Sequence, residues 1–141
     1  VATDDYRSAS QQIGSDPASY NEKQMTSLLS KVAGPEVVAA NVASFLSMKK
    51  RGFRYDGPTT VLSTKASQPS DVGYGIEVVV TRCIDQRSVR VLDRTGEEVP
   101  VGEVSDSIPE FNLRQYAVQH RSSEDGFRVY GIAPAKGTCG P

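Results

Sequence analysis

Hydrophobic and polar positions change period once along this chain. From residue 21 to 51 the apolar positions recur with the spacing of a helix, and from Arg54 onward they alternate as in strands. Asn21-x-x-Gln24 has the form of a capping box, and Met25, Leu28, Leu29 and Val32 follow at i, i+3, i+4 and i+7. Gly34 and Pro35 then end one helix and start another. This helix, 35–51, presents Val37, Val38, Val42, Phe45 and Leu46 to a core. Lys49, Lys50 and Arg51 fall in its last turn, where cations complement the carbonyl end of the helix dipole, and Gly52 stops it. A weaker pattern over 3–13, with Tyr6, Ala9 and Ile13 on one side and Thr3 as N-cap, predicts a first helix. Gly14 to Pro17 break it.

The second half reads as strands. Residues 58–66 are β-prone but mostly polar, as an edge strand is, and 68–73 form a loop. Residues 74–84 are the most apolar run and are expected at the centre of a sheet. Asp85 to Arg87 turn this run into a second strand, 88–93, so Ile76–Val91 reads as a hairpin. Asp93-Arg-Thr-Gly96 has the form of a type I turn, and 97–110 is irregular and acidic. The strand 111–122 joins 127–134 through Glu124-Asp125-Gly126. Three helices followed by a run of antiparallel strands predict an α+β fold, with the helices on one face of the sheet. Long strands wrapped around three helices predict strong curvature.

Composition narrows the function. The chain has 141 residues, the size of one domain, and a net charge of -1, which argues against a nucleic-acid surface. No apolar run reaches the roughly 18 residues that a membrane span requires. Any membrane attachment is therefore expected through an anchor preceding Val1. There are two cysteines, Cys83 and Cys139. They are either a disulfide or two buried thiols, and the Gly/Pro-flanked tail KGTCGP favours a disulfide that clamps the tail to the Cys83 hairpin. That in turn favours an extracytoplasmic location, secreted or anchored at the cell envelope.

Cys83-Ile84-Asp85, Asp93-Arg94-Thr95-Gly96, Asp125-Gly126-Phe127-Arg128-Val129 and the terminal Cys139 together resemble a group of secreted or lipid-anchored bacterial proteins. Their domain is nuclear transport factor 2-like, also called cystatin-like: three helices in the concavity of a bent sheet. Phe127 stands where the pattern more often has tryptophan. The resemblance implies one such domain over 1–141 and an envelope location. It implies no particular activity, because enzymes, binding modules and scaffold parts share the superfamily.

Against that background the candidate chemistry is thin. His120, the only histidine, shares a strand face with Asn112, Arg114, Tyr116 and Val118. Enzymes that resemble ketosteroid isomerase or polyketide cyclases on this fold hold a base and a hydrogen-bond donor in the cone, and His120 with Tyr116 and Asp85 or Asp93 could imitate them. A surface or structural histidine is the plainer reading. No second ligand stands at metal spacing from His120, and no metal or other cofactor is expected. Ser47-x-x-Lys50 and Lys136-Gly137-Thr138 match fragments of the penicillin-recognising enzymes by coincidence, in a chain too short for that fold. Cys83 beside Arg82 is better explained by a disulfide than as a nucleophile, and Asp85 by turn capping. The acidic residues Glu97, Glu98, Glu103, Asp106 and Glu110 read as solvated loop.

Tyr55, Tyr116, His120 and Phe127 form the candidate pocket, from a larger aromatic set with Tyr74, Phe111 and Tyr130 that also suits core and hairpin pairs. The leading expectation is a non-enzymatic binding or scaffolding domain. It would meet a protein partner, or a second copy of itself, through the outer sheet face, as dimers and conjugation-channel components of the superfamily do. The alternative is a pocket for a small apolar ligand, or an isomerase or cyclase acting on one.

Overall fold

The computed structural model describes residues 2–100 and 108–141. Three helices come first: α1 (Ala2–Gly14), α2 (Glu22–Ser30) and α3 (Pro35–Arg51), with one 3-10 turn, Pro17–Ser19, between the first two. The strands follow: β1 (Arg54–Asp56), β2 (Thr60–Ala66), β3 (Ser70–Asp71), β4 (Gly75–Asp85), β5 (Arg90–Leu92), β6 (Phe111–Arg121) and β7 (Arg128–Pro134). The α+β order predicted from the change of period is the one observed.

The capping box at Asn21 forms in both directions: the Gln24 backbone N–H donates to Asn21 Oδ1 at 2.8 Å, and the Asn21 N–H donates to Gln24 Oε1 at 2.9 Å. Gly52 closes α3 in the left-handed conformation at φ 73°, which favours glycine. α1 begins one residue earlier than expected. Thr3 therefore lies inside the helix, buried, rather than capping it.

The main sheet runs β2-β4-β6-β7, with β3 also paired to β4, and every pairing between its strands is antiparallel. β4 and β6 pair without interruption from Gly75↔Arg121 to Asp85↔Phe111. Even-numbered residues of both strands turn to the helices, where Val80, Tyr116 and Val118 meet Ile13, Met25, Leu29, Val42 and Phe45 in one buried cluster. The outer edge of β7 is covered. The Gly34 N–H donates to Val129 O at 2.8 Å, and the Val129 N–H donates to Val32 O at 2.9 Å. A side chain at position 34 would clash with the Tyr130 ring, so any residue larger than glycine there requires that ring to move.

The predicted hairpin between 74–84 and 88–93 does not form. β5 pairs with β1 in a separate two-stranded sheet, Tyr55 opposite Val91, because both edges of β4 are already occupied. The segment read as loop at 68–73 contains β3. The acidic run 97–110 lies partly outside the described residues, and within it Val99 is buried, with its N–H donating to Val91 O.

Cys83 and Cys139 form a disulfide. Cys83 points away from the helices and is 1% exposed. After β7 the chain turns back across β6, where the Ala135 N–H donates to Leu113 O and Gly140 lies against the Phe111 ring. The bridge thus ties the tail to the outer face of β4, two strands from where β7 ends. Opening a loop with ends 56 residues apart releases about 4 kcal/mol of unfolded-state constraint by the chain-entropy argument. Cys83→Ser should destabilise the protein by a few kcal/mol, and wild type in reductant should melt at the lower temperature of the variant. Equal melting with and without reductant would remove this role.

Candidate functional site

A cleft of about 930 Å³ opens between α1, α3, the β1–β2 connection and the end of the sheet where β4 finishes and β6 begins. Its sheet floor is made by Ile84, Asn112, Arg114 and Tyr116, and its apolar wall by Phe45, Met48 and Tyr55. The floor residues come together because Ile84↔Asn112 and Val80↔Tyr116 are register partners on the helix-facing side.

The helix side of the cleft is polar and tightly bonded. Arg7 donates from Nε and Nη2 to Thr59 Oγ1 at 3.0 and 2.7 Å and from Nη2 to Thr59 O at 2.7 Å. Gln11 adds a donor to the same hydroxyl at 2.7 Å. Asn41 Nδ2 donates to the Tyr6 hydroxyl and to Val37 O, both at 2.9 Å. At the rim Asp56 accepts from Arg90 at 2.7 Å and stands 3.9 Å from Arg54. Burial raises the Tyr116 hydroxyl above its ordinary pKa, so it stays protonated at neutral pH.

Next to the cleft floor sits an arginine in the core. Arg82, on β4 directly opposite Arg114, has a side chain 8% exposed and donates from Nη1 to Asp4 Oδ1 at 2.8 Å. Its Nε and the nearby chain start's Thr3 Oγ1 are buried without a hydrogen-bond partner. The hydrogen bond from Arg82 holds Asp4 below the usual carboxylate range, against a smaller opposing effect of desolvation.

The four residues of the expected pocket separate into two pairs. Tyr55 and Tyr116 line the cleft. His120 lies on the same strand face as Tyr116, but four residues further along the strand, about 13 Å away. There its ring stacks 5.3 Å from Phe127, which is 44% exposed, and Nε2 lies 2.9 Å from Glu124 O. Asp85 and Asp93 cap turns: Asp85 accepts from the Arg87 guanidinium and N–H, Asp93 from the Thr95 hydroxyl and from the Thr95 and Glu97 N–H groups. Those bonds hold both carboxyls below the ordinary range. Among the described residues no group of three His, Cys, Asp or Glu is placed to hold a metal.

Tyr74 and Tyr130 are elsewhere. Their rings flank the Arg121 guanidinium on the outer face, at 4.6 and 3.8 Å. Strand alternation put Arg114 and Asn112 on the face of Tyr116 but did not mark them as floor residues. Arg7, Gln11, Asn41 and Thr59 were not legible at all, because no local pattern links a helix's polar side to a loop some fifty residues away.

No family model matches the chain, and no curated protein matches it. Among solved structures, the intermembrane space region of the chloroplast protein ARC6 is similar over 94% of this chain and 90% of its own, with a TM-score of 0.60 and 12% identity. That likeness is one of fold. A de novo designed β-sheet protein matches over 95% of this chain and 84% of its own at a TM-score of 0.37 and 16% identity, too slight to carry an argument.

Asp4→Asn tests the buried arginine. It leaves Arg82 without its carboxylate, a large penalty in a dry core but a reduced one here because Asp4 is half exposed and screened. The expected loss is about 1 kcal/mol at neutral pH. Because the folded-state pKa of Asp4 is depressed, its contribution is present above the ordinary carboxylate range and disappears as pH falls through the lowered value. Urea denaturation should therefore separate the variant from wild type at pH 7 and bring the two together near about pH 2. A gap that persists in acid would show that the ion pair is not its source.

Proposed function

We propose that this chain is a non-enzymatic binding domain that works outside the cytoplasm, of the nuclear transport factor 2-like kind, with the cleft as its ligand site. One observation carries the reading: the cleft joins an apolar wall at Phe45, Met48 and Tyr55 to hydrogen-bonding groups at Asn112, Arg114 and Tyr116. Ligand sites commonly combine a mainly apolar lining with a few placed polar groups. The imidazole that an isomerase-like mechanism would use stands outside this cleft, engaged with Glu124 and Phe127. A Cys83–Cys139 disulfide suits an oxidising compartment, which supports the extracytoplasmic part of the reading. So does the shared fold with a region of ARC6 described as lying in an intermembrane space.

The probe 1-anilinonaphthalene-8-sulfonate tests it. Titrated into the native protein, it should bind saturably at one equivalent. Ser44→Trp, which places an indole in the cleft from an exposed position on α3, should abolish the signal without lowering the melting temperature. His120→Gln should leave binding unchanged. Equal binding by Ser44→Trp, or loss on changing His120, would overturn the assignment.

For a macromolecular partner the proposed surface is the outer sheet face, in its simplest form against a second copy of the chain. There Val79, Ala117 and Gly131 stand in register across three strands, small enough to leave the face flat. Sedimentation over a range of concentrations reads the homodimer directly. A monomer throughout would sink it.

A further inference from the structure

Charge in the cleft does not balance. Of the described residues that line it, Arg7, Arg54 and Arg114 are cationic and Asp56 alone is anionic, in a chain whose net charge is -1. Asp56 already serves Arg90 at 2.7 Å and stands near Arg54. Arg7 is held by a neutral group, the hydroxyl and carbonyl of Thr59. Arg114 makes no ion pair among the described residues.

The position of Arg114 sharpens the imbalance. It faces Arg82 across the β4–β6 ladder, on the side turned to the helices. Like charges directly opposite one another destabilise a strand pair. Asp4 neutralises Arg82 at 2.8 Å, and it is the one carboxylate bonded there. A guanidinium without a carboxylate among the described residues and a largely apolar wall thus line one space.

We infer that the ligand of this cleft is a small amphipathic acid, whose anionic group is received by Arg114 and whose apolar body packs on Phe45, Met48 and Tyr55. The inference rests on the binding reading above and adds the ligand's charge and shape. A guanidinium presents a planar fork that meets the two oxygens of a carboxylate or sulfonate together, which is why the anion belongs at Arg114. Asn112 and the protonated Tyr116 hydroxyl flank it on the same strand face. Arg7 is committed to Thr59 and Arg54 stands beside Asp56, so Arg114 is the lining guanidinium free to meet an anion among the described residues.

Two probes of nearly the same shape separate charge from cavity: 1-anilinonaphthalene-8-sulfonate, an anion, and N-phenyl-1-naphthylamine, its uncharged counterpart. Wild type should bind the anion at least about tenfold more tightly, a preference worth about 1.4 kcal/mol that shrinks as salt is raised. Arg114→Gln should remove the preference, weakening the sulfonate about tenfold while changing the neutral probe less than about twofold. Arg114→Lys, which keeps the charge and loses the fork, should fall between. Arg114 is exposed, so neither variant should melt below wild type, and Arg114→Gln, which removes a charge facing Arg82, should melt at or slightly above it. Equal affinities for both probes in wild type, or an equal loss of both in Arg114→Gln, would overturn anion selection and leave the cleft as a binding site. Failure of both probes to bind, or binding that survives Ser44→Trp, would instead remove the cleft reading itself.

Discussion

The unbroken pairing of β4 with β6 is the constraint on which the rest of the structure depends. Eleven consecutive partners, Gly75↔Arg121 through Asp85↔Phe111, decide which side chains meet the helices and which meet the tail. Shifting the register by one residue would exchange the two faces along the whole strand. If β4 slipped, Val80 would leave the core and Cys83 would turn inward, away from Cys139. The apolar cluster holds the register from one side. The disulfide holds it from the other, with the tail laid across β6 to reach β4. Neither is local in sequence, so core and tail report on the same register independently.

Much of this was legible before any coordinates. The i, i+3, i+4 spacing of Met25, Leu28 and Leu29, the Pro35 start and the Gly52 stop each rest on local chemistry and are found where the pattern puts them, whereas α2 ends at Ser30 and Gly34 caps the start of α3 instead of ending α2. Alternation along 111–122 placed Asn112, Arg114, Tyr116 and Val118 on one face. What alternation does not carry is position along the strand. His120 was grouped with Tyr116 because they share a face. The face is about 13 Å long between them, and the helices fill its middle. The hairpin failed for a related reason. Residues 85–87 do turn the chain, but a turn specifies a change of direction and not a partner. With β2 and β6 on its two edges, β4 had no edge left to offer, and β5 found β1. Tyr55 enters the cleft region on that second sheet.

The cleft sits where the core stops being apolar. Towards the His120 end, the layer between helices and sheet is filled by Val78, Val118, Val129 and the α2 residues Met25 and Leu29. Towards the other end the same layer receives Arg82, Arg114 and Asn112 from the sheet and Arg7, Gln11 and Asn41 from the helices. Polar side chains of this length keep their hydrogen bonds only if they hold one another at a distance or reach water. Arg7 and Thr59, Asn41 and Tyr6, and Arg82 and Asp4 do the first. The cleft is the space that remains.

A sequence that specifies one fold usually agrees with itself at every level, and local disagreements concentrate where function is carried. The disagreement here is narrow. A strand that reads as core for most of its length carries arginine at 82, and its partner strand carries arginine at the facing position, 114. For folding alone, an aliphatic residue at the buried position 82 would serve as well or better, since replacing buried ionic groups by apolar ones is often neutral or stabilising. Asp4 accounts for the first arginine, through an ion pair that also fastens the start of α1 to the sheet. It does not account for the second. Arg114 lies outside the buried core, faces a like charge, and lines the cleft between helices and sheet. An arginine with that placement is explained by what enters the space and not by the fold that surrounds it.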